Sequence, residues 1–227
     1  MKLYADGPTF EEIETLDADV DGYTFNPSLF RKLGAHDYLE FSKKISKKIQ
    51  LKPISIEVIG DTHEECLRQA KIINKISDNI FVKIPISFTN GSTTKDLVKN
   101  LIEEGIKLNI TAIFTINQIK EITSIVKDSN CILSIFSGRI YDIGHDAKLK
   151  FTEMSEYIHD NSNCKSLWAS CRMTYDYFTA KDSKADIITM SPSLIKKMKL
   201  FNKDPIEYSK ETVISFYDDA KKAGYKI

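Results

Sequence analysis

The stretch Ile80–Phe114, IFVKIPISFTNGSTTKDLVKNLIEEGIKLNITAIF, decides the fold class because it holds two predicted strands with a predicted helix between them. Ile80–Pro85 and Asn109–Phe114 are short apolar runs rich in β-branched residues, which is typical of buried strands. Between them, Thr93–Glu104 has apolar residues three and four positions apart, and Gly105 follows at a typical helix C-terminus. This order predicts alternating strands and helices.

The same alternation continues from one end of the chain to the other. Longer segments of helical period, such as Thr62–Ser77 and Gln118–Lys127, separate short apolar runs. The predicted strands are Lys2–Ala5, Gly22–Phe25, Ser55–Ile59, Ile80–Pro85, Asn109–Phe114, Cys131–Phe136, Leu167–Ser170 and Ile187–Met190. Eight strands with intervening helices fit one α/β domain over residues 1–227, built either as a (β/α)8 barrel or as a doubly wound sheet. A final amphipathic helix is predicted over about residues 205–224.

The distribution of polar residues favours the barrel over the open sheet. Seven of the predicted strands carry a lone polar or charged residue in the strand or at its end: Asp6, Asn26, Glu57, Lys83, Thr111, Ser134 and Ser170. An open sheet gathers its site in one crevice, whereas a barrel points residues from all its strands into one central mouth. The sequence therefore predicts a single (β/α)8 TIM barrel with an extra C-terminal helix.

Composition excludes several classes of function. Lysine and arginine number 32 and so do aspartate and glutamate, so no basic excess indicates a nucleic-acid partner. No apolar run approaches the roughly 20 residues of a membrane span, and no basic start followed by an apolar stretch indicates a signal peptide. The four cysteines form no CxxC and the four histidines no HExxH motif, so no metal is expected. We expect a cytoplasmic protein that contacts neither membrane nor nucleic acid.

Lys83 is the most unusual residue of the predicted strands, because it lies within the apolar run Phe81–Ile86 (FVKIPI). Burying an ammonium group is costly unless the group is paired or loses its proton. Desolvation favours the neutral amine, which is the form that attacks a carbonyl to make a Schiff base. Taken alone, the hexapeptide fits a strand with a solvent-facing lysine better, and Asn26 before Pro27 fits an ordinary turn.

Taken together in chain order, the motifs resemble the transaldolase family, including its short members and the fructose-6-phosphate aldolases. Thr24–Leu29 (TFNPSL) resembles the family's TTNPSL turn, and Val82–Pro85 (VKIP) resembles the strand of its imine-forming lysine. The other matches are Leu3–Asp6 (LYAD), Ser55–Val58 (SIEV), Gly105–Phe114 (GIKLNITAIF) with Gln118, Ser134–Asp142 (SIFSGRIYD), Ala169–Arg172 (ASCR) and Asp186–Pro192 (DIITMSP). The resemblance spans roughly residues 1–195, with one motif on each predicted strand.

The resemblance implies a class I Schiff-base enzyme that needs no cofactor. Lys83 would form the imine with a ketose, and Asp6 would take the proton from the hydroxyl on carbon 4. Glu57 and Thr111 would hold and activate the water that moves protons during imine formation. Asn26 and Asn109 would bind the hydroxyls of the dihydroxyacetone part, with Thr24 and Ser134 nearby.

The resemblance also implies a site for the phosphate group of the sugar. Arg139, Ser170 and Arg172 would hold it, since guanidinium groups make charge-assisted and partly bidentate hydrogen bonds to phosphate. Phe136, three residues before Arg139, matches the transaldolases, whereas many fructose-6-phosphate aldolases have Tyr there and Gln in place of Glu57. The expected reaction is therefore transfer of dihydroxyacetone from a ketose phosphate, fructose 6-phosphate or sedoheptulose 7-phosphate, to an aldose phosphate.

Three alternatives and one further expectation follow from the sequence. Phe25 replaces the second Thr of the TTN turn and places a bulky ring beside Asn26, so an aldolase, or an enzyme with an altered sugar substrate in a specialised pathway, stays open. A barrel that only binds sugar phosphates is the third reading. The resemblance also implies a homo-oligomer, a pentamer or decamer, in which the C-terminal helix packs on a neighbouring subunit.

Overall fold

Eight parallel strands form a closed barrel in the computed structural model, which describes all 227 residues. Each strand pairs with the next along the chain, and β8 pairs with β1 to close the ring. The strands are β1 Lys2–Asp6, β2 Gly22–Thr24, β3 Ile54–Glu57, β4 Ile80–Pro85, β5 Leu108–Ile113, β6 Ile132–Ile135, β7 Lys165–Trp168 and β8 Ile187–Met190. Closure confirms the predicted (β/α)8 barrel and excludes a doubly wound sheet, which has two open edges.

Helices follow the strands along the chain. They are α1 Phe10–Leu16, α2 Pro27–Lys32, α3 Tyr38–Lys48, α4 His63–Asn74, α5 Lys95–Glu103, α6 Ile116–Val126, α7 Ser137–Asp142, α8 Ala147–Asn161, α9 Asp176–Asp182, α10 Pro192–Lys197 and α11 Pro205–Ala223. Side-chain caps set several of their starts. The Thr62 hydroxyl accepts a hydrogen bond from the Glu65 backbone N–H at the start of α4, and Thr115 forms a full capping box with Gln118 at the start of α6.

The barrel interior has an apolar layer below a polar one, because side chains two residues apart on a strand face the same side. Tyr4, Ile132, Leu167 and Ile187 form a buried cluster, and Phe81 packs against it. Two residues further along β1, β6, β8 and β4 come Asp6, Ser134, Thr189 and Lys83. The polar side chains are thereby carried to the C-terminal end of the barrel, where barrel proteins have their sites.

Gly22 makes room for the apolar layer. A Cβ atom at this position would lie 2.7 Å from the Tyr4 ring, which is closer than van der Waals contact allows. Burial raises the pKa of the Tyr4 phenol to about 12, so the ring is a neutral part of the barrel plug.

Residues 1–195 and residues 196–227 form two compact units. The first contains the complete barrel. In the second, Asp204 accepts hydrogen bonds from the backbone N–H groups of Ile206 and Glu207 and so caps α11, which ends before Gly224 in the left-handed conformation. This helix is the predicted C-terminal one. No helix of the protein combines the length and the apolar character that crossing a membrane requires.

Candidate active site

A cavity of about 80 Å³ opens at the C-terminal ends of the barrel strands. Its lining is mostly polar and comes from seven of the eight strands or the residues that follow them: Asp6, Thr24, Asn26, Lys83, Thr111, Ser134, Phe136, Arg139, Ala169, Ser170 and Thr189. Nine of the twelve predicted site residues therefore meet at one place. Glu57, Asn109 and Arg172 do not line this cavity, and each has a specific contact that explains its position.

Lys83 is buried and paired. Its side chain is 6% exposed, and its Nζ lies 3.1 Å from Glu57 Oε2, while Glu57 itself is 18% exposed. Lys83 and Glu57 face each other because they are direct register partners on β4 and β3. Nζ also donates to the carbonyl oxygen of Phe25 over 3.4 Å. Glu57 therefore provides a carboxylate at proton-transfer distance from the one amine of the cavity.

Asp6 ends β1, and its half-buried carboxylate lines the cavity. Thr24 Oγ1 donates to Asp6 Oδ1 over 2.6 Å. Burial raises the pKa of Asp6 above its usual range, although the positive charge of Lys83 and the Thr24 hydrogen bond act in the opposite direction. A raised pKa favours a carboxylate that can take a proton and hold it at a pH where an exposed aspartate would not.

Thr111 has a buried hydroxyl with no hydrogen-bond partner in the protein. Buried hydroxyls are nearly always paired, so this one is suited to bind water or a substrate oxygen in the cavity it lines. The next residue, Ala112, has a φ of 60°, and the pairing of β5 with β6 shifts register between Ile110 and Ile113. Such bulges re-aim side chains beside functional sites.

Asn26 and Asn109 have different surroundings. Asn26 is the N-cap of α2, where its Oδ1 accepts from the Leu29 N–H, and this leaves its amide NH2 for a ligand in the cavity. Asn109 is fully buried: its Nδ2 donates to Ser55 Oγ over 3.0 Å, and its Oδ1 accepts from Ser134 Oγ over 2.6 Å. Asn109 therefore fixes Ser134, which does line the cavity.

The mouth of the cavity carries Arg139 and Ser170. Arg139 is exposed, and its guanidinium lies 5.2 Å from the centre of the Phe136 ring, an arrangement that favours a cation. Ser170 has a φ of 66°, and its carbonyl packs closely on Gly138 at the start of α7. A Cβ atom on Gly138 would lie 1.6 Å from Ser170 O, so only glycine fits.

Arg172 is already bound to a carboxylate. Its Nε lies 2.9 Å from Asp142 Oδ1, its Nη2 also donates to Asp142, and its Nη1 donates to Ser170 O over 3.1 Å. The Arg172 hydrogen bond holds the pKa of Asp142 below its usual range. Asp176 fixes the same loop by accepting from the backbone N–H groups of Arg172 and Met173. Of the two arginines predicted to bind phosphate, Arg172 is thus the one already paired with a carboxylate, and Arg139 is more available to a ligand.

Phe25 does not line the cavity. Its ring is fully buried and packs on Phe30, with ring centres 5.5 Å apart, so its bulk lies in the layer between barrel and helices. Two residues that the sequence reasoning missed do contribute. Thr189 lines the cavity and had a signal, since it is the Thr of the DIITMSP motif. Asp142 had none as the partner of Arg172, since only the fold brings them together.

The chain contains no group of three or more His, Cys, Asp or Glu side chains arranged to hold a metal ion. A closed eight-stranded barrel with a polar cavity at its C-terminal mouth defines a (β/α)8-barrel protein. The family described as Transaldolase/Fructose-6-phosphate aldolase matches residues 3–227, and the chain belongs to that family.

Two curated relatives match over their whole length. A "Probable transaldolase" of Bartonella henselae is 31% identical over 230 residues, and one of Brucella melitensis is 32% identical over 231 residues; each match covers 100% of both chains. Among solved structures, N-acetylneuraminate lyase from Mycoplasma synoviae has a TM-score of 0.59 and 12% identity over 96% of this chain and 80% of that one. Dihydrodipicolinate synthase from Rhodopseudomonas palustris has a TM-score of 0.55 and 11% identity over 96% and 79%. These two likenesses support the fold.

Proposed function

We propose that this protein is a transaldolase that transfers a dihydroxyacetone unit from a ketose phosphate to an aldose phosphate through a Schiff base on Lys83. The observation that carries the proposal is the position of Lys83 Nζ, buried in a polar cavity and 3.1 Å from the Glu57 carboxylate. Membership of the transaldolase and aldolase family supports the same chemistry.

Imine formation comes first. Lys83 gives a proton to Glu57, and the neutral amine attacks the carbonyl carbon of the ketose, whose oxygen takes up a proton. Loss of that oxygen as water leaves a protonated imine. The free hydroxyl of Thr111 and the Glu57 carboxylate hold the water molecule that moves protons between these groups.

Cleavage and transfer follow at Asp6. The Asp6 carboxylate removes the proton from the hydroxyl on carbon 4, the bond between carbons 3 and 4 breaks, and its electron pair moves into the imine to give an enamine. The aldose formed from carbons 4 onward leaves. The enamine then attacks the aldehyde carbon of a second aldose phosphate, whose oxygen takes the proton from Asp6, and hydrolysis of the new imine frees Lys83.

The cavity lining supports binding of a sugar phosphate. The Asn26 amide donates to a hydroxyl of the dihydroxyacetone part, and Ser134, held by Asn109, contacts another. The cavity is small compared with ligand pockets of roughly 300–1,000 Å³, so it encloses the reacting end of the sugar. The phosphate then lies at the exposed mouth beside Arg139 and Ser170, with Arg172 contributing from the flank.

Phe136 supports transfer over simple cleavage. Free aldol cleavage requires that the enamine be protonated and hydrolysed before an aldose arrives. Phe136 places a ring, packed at a tilt against Phe114 with centres 5.9 Å apart, at the mouth where a tyrosine hydroxyl would help position water. The apolar ring leaves the enamine to its aldose acceptor.

Incubation with fructose 6-phosphate, with and without erythrose 4-phosphate, tests the proposal. We expect glyceraldehyde 3-phosphate to appear together with sedoheptulose 7-phosphate, and only when erythrose 4-phosphate is present. Release of glyceraldehyde 3-phosphate without an acceptor indicates an aldolase. Absence of turnover combined with tight binding of fructose 6-phosphate indicates a barrel that only binds sugar phosphates.

We also propose a homo-oligomer built through α11. This helix exposes large apolar side chains, among them Ile206, Val213, Phe216 and Tyr217. Burying such side chains stabilises an association, and each contributes up to about 1.5–3 kcal/mol when fully covered. Sedimentation velocity tests this: the protein should sediment as an oligomer, and Phe216→Asp with Val213→Asp should convert it to smaller species.

A further inference from the structure

We propose that Thr189 is a positioning residue for the reaction: its hydroxyl donates to Thr24, Thr24 donates to Asp6, and the two linked hydroxyls orient the Asp6 carboxylate toward the substrate. This inference rests on the proposed function, because Asp6 needs a fixed orientation only when it moves a proton. It adds to the reaction a residue of β8, the strand for which no site residue was predicted.

Two short hydrogen bonds link the three groups in series. β1 pairs with β2 on one side, where Thr24 is the register partner of Asp6, and with β8 on the other, where Thr189 is the register partner of Tyr4. Thr189 Oγ1 lies 2.6 Å from Thr24 Oγ1, and Thr24 Oγ1 lies 2.6 Å from Asp6 Oδ1. Thr189 is 5% exposed and Thr24 2%, so water competes little for either hydroxyl. Hydrogen bonds this short, with one end on a carboxylate, are the strong kind.

The number of protons available determines which group donates in each of the two hydrogen bonds. An ionised carboxylate only accepts hydrogen bonds, and each threonine hydroxyl has one proton to give. Thr24 gives its proton to Asp6 Oδ1, so Thr189 must be the donor between the two threonines. Asp6 Oδ2 receives no hydrogen bond from the protein, and it is therefore the oxygen left to take the proton of the substrate hydroxyl.

The two linked hydrogen bonds also affect how readily Asp6 is ionised. A hydroxyl that accepts one hydrogen bond donates the next one more strongly, so Thr189 strengthens the bond from Thr24 to Asp6. The charged and titratable groups that act on Asp6 from other elements are Lys83 on β4, Glu57 on β3, Lys32 on α2 and Cys171 after β7. Burial and Glu57 raise the pKa of Asp6, whereas Lys83, the Thr24 hydrogen bond and Lys32 lower it, and the Thr24 bond is the second largest of these three.

A threonine on a buried strand has an ordinary explanation, which is that its β-branched shape packs well. Valine has the same shape and lacks only the hydroxyl. Serine keeps the hydroxyl and lacks only the methyl group. Comparison of Thr189→Val with Thr189→Ser therefore separates packing from hydrogen bonding. Thr189→Ala, which removes the hydroxyl and shortens the side chain, serves as a second variant if the valine protein folds poorly.

The experiment measures the pH dependence of kcat/KM for transfer from fructose 6-phosphate to erythrose 4-phosphate, together with borohydride trapping of dihydroxyacetone on Lys83. Trapping needs the imine but no carbon–carbon cleavage, so it does not depend on Asp6. For Thr189→Val we expect kcat to fall about threefold to tenfold and the acid limb of the profile to move up by about half a pH unit. Thr189→Ser should match the wild type, and all variants should trap dihydroxyacetone as the wild type does.

Two results overturn the inference. One is a Thr189→Val enzyme whose kcat and acid limb of the pH profile equal those of the wild type, and the other is a Thr189→Ser enzyme that behaves like the valine variant. Failure of the proposed function has a different signature, because then the wild-type protein itself traps no dihydroxyacetone on Lys83. Thr24→Val gives an independent check, since it removes the middle of the chain and should shift the acid limb at least as far as Thr189→Val.

Discussion

Lys83 and Glu57 are register partners on adjacent barrel strands, and their side chains meet in a 3.1 Å ion pair at the edge of the cavity. The pair offsets the free-energy cost of burying the lysine ammonium group, because a counter-charge lies within hydrogen-bond distance. In the proposed reaction it also gives the lysine a base. The same contact therefore stabilises the resting site and supplies the first proton transfer of the proposed reaction.

Replacement of Glu57 by Gln should slow imine formation by about 100-fold or more, because glutamine can donate to or accept from Lys83 but cannot take its proton. Phe136 has no hydroxyl to compensate. The rate of adduct formation is measured by reducing samples with borohydride at successive times and determining the mass of the protein by mass spectrometry. The exposed Glu103→Gln on α5 is the matched control. Equal rates for the two variants would show that Glu57 is not the base.

Replacement of Asp6 by Asn should raise the melting temperature at neutral pH while lowering kcat by about 10²–10⁴. Burial raises the pKa of Asp6 in the folded protein above its unfolded value, so its ionised form costs folding stability. That cost is absent below the unfolded pKa, grows as the pH rises toward the folded pKa, and is complete above it. The gain in melting temperature should therefore vanish in acid.

Thermal unfolding of Asp6→Asn and of the wild type, measured between about pH 4 and pH 8, gives this gain. An aspartate with a raised pKa titrates within that range. The exposed Asp128→Asn is the control, and its melting temperature should differ from the wild type by the same small amount at every pH. A destabilised Asp6→Asn at pH 8 would mean that the pairing of Asp6 with Lys83 outweighs its burial.

Replacement of Arg139 by Ala should raise KM for phosphorylated sugars by about 10- to 100-fold, the loss expected for a hydrogen bond between charged groups. Arg172→Ala should have a smaller effect, since Asp142 already neutralises that guanidinium. Dihydroxyacetone has no phosphate, so its trapping on Lys83 should be unchanged in both variants. An equal rise in KM for the two variants would contradict the unequal roles of the arginines.

Replacement of Gly138 by Ala should destabilise the protein by about 2 kcal/mol or more, the cost of forcing backbone apart in a packed region. The new Cβ would lie 1.6 Å from Ser170 O, so the Ser170 loop must move, and KM for phosphorylated sugars should rise with it. Gly91→Ala is the control. Gly91 has a φ of 84° and open space around it, so alanine there costs about 1 kcal/mol of backbone strain without a change in KM.

The barrel was predictable because its signals are local and repeated. Ile80–Pro85 and Ile187–Met190 have the predicted bounds, since each apolar run begins directly after a polar residue, Asn79 or Asp186. The end of β7 was placed two residues late, at Ser170, where the chain leaves the barrel in a left-handed conformation that β-propensity does not report. The N-terminus of α4 was predicted through Thr62, and its capping hydrogen bond is present.

The lining of the cavity was predictable where one residue per strand end has a distinctive chemistry, as for Lys83 in an apolar strand. The hydrogen bonds and ion pairs that hold the lining side chains in place were not predictable, because they join residues distant in sequence. The hydrogen bonds of Asn109 to Ser55 and Ser134 join β5 to β3 and β6, and the pair of Arg172 with Asp142 joins the loop after β7 to α7. The motif of β8 indicated Thr189 but not its partner, because the hydrogen bond to Thr24 joins residues that lie 165 positions apart in the chain.

The central claim is that Lys83 forms the imine, and borohydride trapping followed by peptide mapping tests it most directly. The protein is incubated with dihydroxyacetone, reduced and digested, and the adduct is located by mass spectrometry, with Lys83→Arg as the control that keeps the charge. We predict a single adduct on the peptide that contains Lys83 and none in the variant. An unmodified Lys83, or an adduct that persists in Lys83→Arg, would contradict the account.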